Sequence, residues 1–177
     1  SFQVKDVQQE RVDGAPFDAA MSQFGVMFFD EPKTAFANIR GHLAPGGRLA
    51  FACWQPPAKN PWFIGPLLAE FVPPPPQPLP GKSPTGPFVF ADPAYVRGIL
   101  QSAGFADIAV ANHDYSIEAP ENAMMDDAQL VFVGVAAEKM PQARAVVDKH
   151  LAPFRLASGL CRFPLAVQIF TARNPAT

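Results

Sequence analysis

Residues 17–54, FDAAMSQFGVMFFDEPKTAFANIRGHLAPGGRLAFACW, decide the fold of this chain. The first residues of the stretch, Phe17 to Met21, predict a β-strand that ends at Ser22. Asp30 is a favourable residue type for a helix N-cap, and Pro32 fits the first helical turn, where its missing N–H costs nothing. The sequence therefore predicts a helix that begins just after a strand and its loop.

The second half of the stretch predicts the rest of a crossover unit. Phe36, Ile39 and Leu43 recur at helical spacing and predict a buried helix face. Residues 45–47, Pro-Gly-Gly, are expected to end the helix and turn the chain. The continuous apolar run 49–54 is typical of a strand covered on both faces, as in a parallel sheet. A strand, a helix and a second strand with a short return form a right-handed βαβ unit.

The pattern continues towards the C-terminus. Asp92-Pro93 predicts the start of a helix that Gly104 ends. A strand is expected over 108–117 and a final strand over 165–172. The predicted fold class is α/β, with a mostly parallel sheet, a late antiparallel strand, and a single domain over 1–177.

Four further segments have weaker patterns. Residues 2–4 are interpreted as the end of a strand, 62–71 as a short helix, and 122–151 as helical with a break at Pro141. The proline-rich segment at about 55–90 is interpreted as a lid or linker. An SH3-type ligand is the alternative for that segment.

The composition excludes several classes of function. Of 177 residues, 49% are hydrophobic and 17% charged, and the net charge is −2. Without a basic stripe, nucleic acid is not an expected partner. The longest apolar runs are far shorter than the ~20 residues that span a bilayer. Two cysteines without metal-ligand spacing favour a reduced, cytoplasmic protein without a metal site.

Five segments occur in an order that resembles one enzyme family. They are Asp6-Val7-Gln8, the loop 22–29, the turn 43–49, the helix entry and exit at 88–92 and 103–105, and the end 171–175. Together they resemble the class I S-adenosylmethionine-dependent methyltransferases. The resemblance implies a Rossmann-like sheet, S-adenosylmethionine as cofactor, and methyl transfer to a small molecule.

The resemblance also implies site residues. Asp6 and Val7 would contact the adenine of the cofactor, the first by its carboxylate and the second by its backbone amide. Ser22 and Phe24 would lie near the cofactor, at the carboxyl end of a strand. Structural roles are the alternatives: Asp6 as a turn residue, Ser22 as a partner of the backbone, and Phe24 as a core residue.

The substrate-binding residues expected from the resemblance are aromatic. They are Phe28, Trp54, Trp62 and Phe63. Acceptor pockets are largely apolar. Core packing is the simplest alternative for Phe28 and an equally good alternative for Trp54. No residue is identified as a catalytic base.

One part of the family pattern is missing from the sequence. None of the 12 glycines forms a Gly-x-Gly-type cofactor loop, and by resemblance two further strands are expected before Ser1. The alternative function is therefore a non-catalytic binding or dimerisation module of the same fold, and a homodimer would pair the open sheet edge. A Rossmann dehydrogenase is not favoured, because the dinucleotide glycine fingerprint is absent.

Overall fold

A computed structural model describes residues 2–74, 76–123 and 126–176, except for the side chain of Ala123. The longer elements are four strands and four helices among these residues. The strands are β1 (Phe17–Gln23), β2 (Leu43–Trp54), β3 (Ala106–Ala119) and β4 (Cys161–Arg173). The helices are α1 (Pro32–Gly41), α2 (Pro93–Ser102), α3 (Asp127–Phe132) and α4 (Met140–Leu151).

The strands form one mixed sheet in the order β1-β2-β4-β3. β1 and β2 are parallel, with Ser22 opposite Phe51, and β4 is antiparallel to β2, with Phe170 opposite Phe51. The α/β fold with a late antiparallel strand is thereby confirmed. Because β1 stands at the end of this order, the carboxyl end of β1 lies at the open edge of the sheet.

The chain forms two compact units. The first contains Ser1–Pro56, Gln77–His113 and Ala166–Thr177, and the second contains Pro57–Pro76 and Asp114–Leu165. These ranges differ from the predicted insertion at about 55–90, and the single domain stays a prediction.

Each unit has its own apolar core. Phe36, Phe51 and Phe170 are buried in the first unit, where the rings of Phe36 and Phe51 are 5.3 Å apart. Leu130 and Phe163 are buried in the second unit. Since apolar burial contributes roughly 25 cal/mol per Å², these clusters supply the main favourable free energy of each unit.

Helix α2 forms where the sequence predicts it. The Asp92 carboxylate accepts a hydrogen bond from the Ala94 amide at 2.8 Å, and Pro93 occupies the first turn. Gly104 follows the helix with a φ of +86°, a conformation that favours glycine.

The Pro-Gly-Gly prediction was wrong. Helix α1 already ends at Gly41, its N-cap is Glu31 instead of Asp30, and Leu43 belongs to β2. The turn lies inside β2 because Asn174 pairs with it: the Gly46 amide donates to the Asn174 carbonyl at 2.8 Å. A partner far along the chain thus keeps this turn in the sheet.

Three other element predictions also differ from the structure. Residues 2–4 belong to none of the four strands. The segment 62–71 contains a single 3-10 turn, Gly65–Leu68, instead of a helix. Pro141 lies in the first turn of α4, where proline is tolerated, so it does not interrupt a helix.

Candidate functional site

The chain turns sharply at the carboxyl end of β1. Phe24 adopts a φ of +56°, and its amide donates to the Ala52 carbonyl at 3.1 Å. Gly25 then approaches Ser22 so closely that a Cβ atom at Gly25 would lie 3.1 Å from Ser22 Oγ. The turn therefore places Ser22 and Gly25 side by side in one wall.

A second wall comes from the N-terminal segment, residues 6–12. Side-chain hydrogen bonds hold this segment against α1. Asn38 Nδ2 donates to the carbonyl of Val7 at 3.0 Å and to that of Glu10 at 2.9 Å. The Gln8 side-chain oxygen accepts from the Glu31 amide at 3.0 Å, at the start of α1. The Asn38 bonds satisfy two carbonyls of this irregular segment, and the Gln8 bond satisfies an amide at the N-cap of α1.

His42 adds a third connection between α1 and this segment. Its Nε2 accepts a hydrogen bond from the Val12 amide at 2.8 Å, and its Nδ1 lies 2.7 Å from the Asn38 carbonyl oxygen. Because the amide can only donate and the carbonyl can only accept, the ring is neutral with the proton on Nδ1. His42 is 7% exposed and uses both nitrogens, so it positions the segment instead of transferring protons.

A cavity of about 390 Å³ lies between these walls, within the first unit. Its lining is mainly apolar, and Ser22 and His42 are the two polar side chains in it. The N-terminal segment, β1, the loop after β1 and α1 contribute Val7, Val12, Phe17, Ala20, Met21, Ser22, Gly25, Val26, Phe29, Ile39 and His42. Such a lining suits a planar, mostly apolar group with few polar contacts.

The four predicted cofactor residues take different positions. Val7 and Ser22, 15 positions apart in the sequence, both line the cavity. Asp6 does not line it: its Oδ1 accepts from the Gln8 amide at 3.0 Å, as in an Asx turn. Phe24 lies beside the lining residues but is not among them. Their contact with a cofactor stays a prediction.

The predicted substrate residues fall into two groups. Phe24, which follows β1, and Trp54, the last residue of β2, stack with their ring centroids 4.3 Å apart and their planes at 13°. Phe28, in a 3-10 turn of the same loop, is 56% exposed. Trp62 and Phe63 belong to the second unit, where they line a different pocket. Their contact with substrate also stays a prediction.

Part of the proline-rich segment is attached to the loop after β1. Lys82 forms ion pairs with Asp30 and Glu31, and the Ser83 amide donates to the Asp30 carbonyl at 2.8 Å. The hydrogen bond from Lys82 lowers the pKa of the Glu31 carboxyl below its ordinary value of 4.5. The segment thus has a charged attachment point at the start of α1.

Sites of other kinds are not found in the described part of the chain. No group of three or more His, Cys, Asp or Glu side chains is arranged there to hold a metal ion. Burial raises the pKa of the Cys53 thiol to about 12, so this cysteine is not an activated nucleophile. Across the described residues, no helix combines the length and the apolar character needed to cross a bilayer.

Sequence reasoning missed the residues that build the N-terminal wall. Asn38 and His42 bond to backbone groups 31 and 30 positions away, and no local pattern indicates such partners. The signal that was available was the pair of polar side chains at spacing i, i+4 near the end of an otherwise amphipathic helix.

Comparisons with known proteins bear on the fold of the chain. Residues 1–51 match the model of a family described as a methyltransferase domain. A candidate methyltransferase from Bacillus halodurans superposes with a TM-score of 0.54 at 14% identity, covering 97% of this chain and 70% of that protein. The YcgJ protein of Bacillus subtilis gives 0.55 at 11% identity, covering 99% and 71%. A search of curated proteins finds no significant match.

Proposed function

Because the chain has the fold of the class I S-adenosylmethionine-dependent methyltransferases, we propose that it takes part in methyl transfer from S-adenosylmethionine to a small molecule. The observation that carries the proposal is the meeting of Val7 and Ser22 at one cavity. These residues come from two segments that the sequence resemblance assigns to the cofactor. Ser22 lies near the carboxyl end of β1, the end at which open α/β sheets bind ligands.

The residues around the cavity fit one end of the cofactor. Val7, Val26 and Phe29 offer apolar walls of the kind that hold an adenine ring, and the Ser22 hydroxyl offers a polar partner. The 12 glycines of this sequence form no glycine-rich cofactor loop, so the proposal concerns the contacts at this end of the cofactor.

The role of the protein in the reaction would be positioning. When bound, S-adenosylmethionine would supply an electrophilic methyl group: an acceptor lone pair forms the new bond to the methyl carbon, the C–S bond breaks, and S-adenosylhomocysteine leaves as the neutral thioether. The protein side chains orient the two reactants and exclude water. Together these effects lower the activation barrier by roughly several kcal/mol. Trp54 and Phe28, both in the first unit, are the residues proposed for the acceptor side. No described residue is assigned as a general base.

The proposal includes a cytoplasmic location and no nucleic-acid partner. Both cysteines are free thiols in buried positions, which is compatible with a reducing compartment. The net charge of −2 offers no electrostatic attraction for phosphate backbones.

Calorimetric titration with S-adenosylhomocysteine tests the proposal without turnover. The informative variant is Gly25→Ala, because its Cβ lies 3.1 Å from Ser22 Oγ and the φ of −98° at Gly25 causes no backbone strain. We expect binding to the unaltered chain and a loss of about fivefold in the variant, as for one displaced hydrogen bond of about 1 kcal/mol.

The matched control is the same substitution outside the cavity. Gly98 lies in α2 with no atom within 4 Å of an added Cβ, so Gly98→Ala should leave the affinity unchanged. Absence of binding by the unaltered chain would refute the proposal. Equal weakening by both substitutions would show that the ligand does not occupy this cavity.

A second candidate function is dimerisation without catalysis. β1 is the terminal strand of the sheet, and its Met21 side chain is 89% exposed. Such an edge offers unpaired backbone groups to a second copy. Light scattering coupled to size-exclusion chromatography tests this reading. A species at twice the 19.1 kDa of one chain favours it, and a monomer at all concentrations excludes it.

A further inference from the structure

The second unit contains an apolar pocket of its own. Its volume is about 190 Å³, and Trp62, Phe63, Ile64, Gly65, Leu68, Val72 and Val133 line it. No lining residue carries a charge. We propose that this pocket binds a small, uncharged aromatic molecule of one or two fused rings.

The size of the pocket supports a ligand of that class. An apolar cavity of about 150 Å³ in a protein core accepts benzene and stays dry without it. The volume here is larger, and it is lined by two aromatic rings as well as aliphatic side chains. A single ring with a substituent, or two fused rings, therefore fits the space.

The aromatic wall has a fixed shape. The Trp62 and Phe63 ring centroids are 6.2 Å apart and the planes meet at 77°, an edge-to-face arrangement. The Trp62 indole N–H donates to Asn60 Oδ1 at 3.0 Å, which fixes the indole orientation. Both residues line the pocket, so an aromatic ligand inside it would contact aromatic as well as aliphatic side chains, and aromatic pairs add to the gain from apolar burial.

Gly65 is required for this wall. A Cβ atom at Gly65 would lie 2.8 Å from Cζ of the Phe63 ring, a distance that real Cβ atoms do not show. Without a side chain at Gly65, the Phe63 ring lies directly against the backbone. The ring position, and with it the depth of the pocket, therefore depends on this glycine.

The chemistry of the lining excludes charged ligands. A carboxylate or ammonium inside the pocket would leave water without finding a charged or hydroxyl partner among the lining side chains. An uncharged ring loses little hydration and gains apolar contacts. Selection between two ligands that differ only in charge is therefore the property that distinguishes this pocket from a nonspecific apolar surface.

A nonspecific surface lies close by in the sequence and must be controlled for. Val131, Phe132 and Val133 are consecutive exposed apolar residues at the end of α3, but Val133 alone lines the pocket. Val131 is 61% exposed and Val133 is 42% exposed, so a larger side chain at either position need not disturb the core. The pair Val133→Trp and Val131→Trp therefore separates the pocket from the surface.

The test is calorimetric titration of the full chain, without S-adenosylmethionine, using 2-naphthol and 2-naphthoate. We expect 2-naphthol to bind at least about tenfold more tightly than 2-naphthoate. Val133→Trp should weaken 2-naphthol binding about tenfold or more, and Val131→Trp should change it by less than about twofold. Equal binding of both probes, or equal effects of both substitutions, would overturn the proposal.

A second measurement needs no substitution. Nuclear Overhauser effects should connect the naphthol ring protons with the methyl groups of Ile64, Leu68 and Val72. Their absence at saturating naphthol would also overturn the proposal, even if Val133→Trp failed to fold. Because neither experiment contains S-adenosylmethionine, failure here leaves the methyltransferase proposal standing, and the reverse also holds.

Discussion

Substitution of Gly104 by alanine should destabilise the protein by about 2–3 kcal/mol. Gly104 has a φ of +86°, and a left-handed conformation costs an alanine about 1–2 kcal/mol. The new Cβ would also lie 3.0 Å from Nε of Arg40 and 3.1 Å from its Cζ. Because the Arg40 guanidinium donates to Asn174 Oδ1 at 3.1 Å, moving it puts at risk a charge-assisted bond worth about 1.5–3 kcal/mol.

The same chemical change in α2 should have the opposite sign. Gly98 is exposed in the helix interior, and an added Cβ meets no atom within 4 Å. Alanine exceeds glycine in helix propensity by about 0.8–1 kcal/mol, so Gly98→Ala should raise stability by nearly that amount. The two variants should therefore differ by about 3 kcal/mol although each adds one methyl group.

Urea unfolding measures both variants, with far-ultraviolet circular dichroism and tryptophan fluorescence as independent probes. Coincident transitions and unchanged m-values would allow the midpoints to be compared as free energies of unfolding. The reasoning fails if Gly104→Ala is as stable as the unaltered protein. It also fails if both variants shift in the same direction. In an Arg40→Met background, the steric part of the loss should disappear and the conformational part should remain.

Three further predictions concern other parts of the molecule. Asn174→Ala should lower the free energy of unfolding by about 2–4 kcal/mol in the same urea assay, because two backbone carbonyls of β2 lose the donor of an 8% exposed side chain. Lys82→Met should make the free energy of unfolding fall less steeply as the pH is lowered. Lys82 lowers the pKa of Glu31, so the stabilisation from this pair is present above about pH 4.5 and is lost as the pH falls through the folded-state pKa. Cys53 and Cys161 should not react with a chromogenic disulfide reagent at pH 8 in the native state, because both are buried and burial raises both pKa values.

Each of these has a contrary outcome. An Asn174→Ala protein with an unchanged urea midpoint would mean that water replaces the lost donor. Equal slopes of stability against pH between 3 and 5, with and without Lys82, would mean that the ion pair is not populated in solution. A thiol that reacts within seconds without denaturant would contradict the burial of the cysteines, whereas both should react in guanidinium chloride.

Helix α2 and its boundaries are predictable from the sequence because the signals are local. Asp92 caps its own helix, Pro93 fits the first turn, and Gly104 ends it, and each of these effects involves residues at most a few positions apart. The same holds for β1 and the parallel pairing with β2, which follow from short apolar runs joined by a helix.

The Pro-Gly-Gly turn was not predictable because its conformation depends on a distant residue. The Asn174 backbone and side chain bond to the segment 43–47, about 130 positions earlier in the chain. The helix predicted over 62–71 does not form, for both a local and a tertiary reason. Gly65 and Pro66 weaken the local preference for a helix, while Ile64 and Leu68 are buried in the core of the second unit.

The candidate site divides in the same way. Val7 and Ser22 were found through their resemblance to family segments, and they meet at the cavity. Asn38 and His42 were missed because their hydrogen-bond partners are backbone atoms of an irregular segment. Periodicity and residue type carry information about helices and strands, but not about which backbone groups of a loop need a partner.

The left-handed conformation of Phe24 has a consequence for how this site can change in evolution. The Phe24 amide donates to the Ala52 carbonyl, and the Phe24 ring stacks on Trp54. The loop is therefore held in register with two particular residues of β2. One residue inserted between Ser22 and Phe24 would put a different residue opposite Ala52 and beside Trp54, so both the amide hydrogen bond and the ring stack would be lost. Insertions after Phe29 do not alter this alignment. Lineages that diversify this loop are therefore expected to lengthen it on the far side of Phe29, while the number of residues between β1 and Phe24 stays constant.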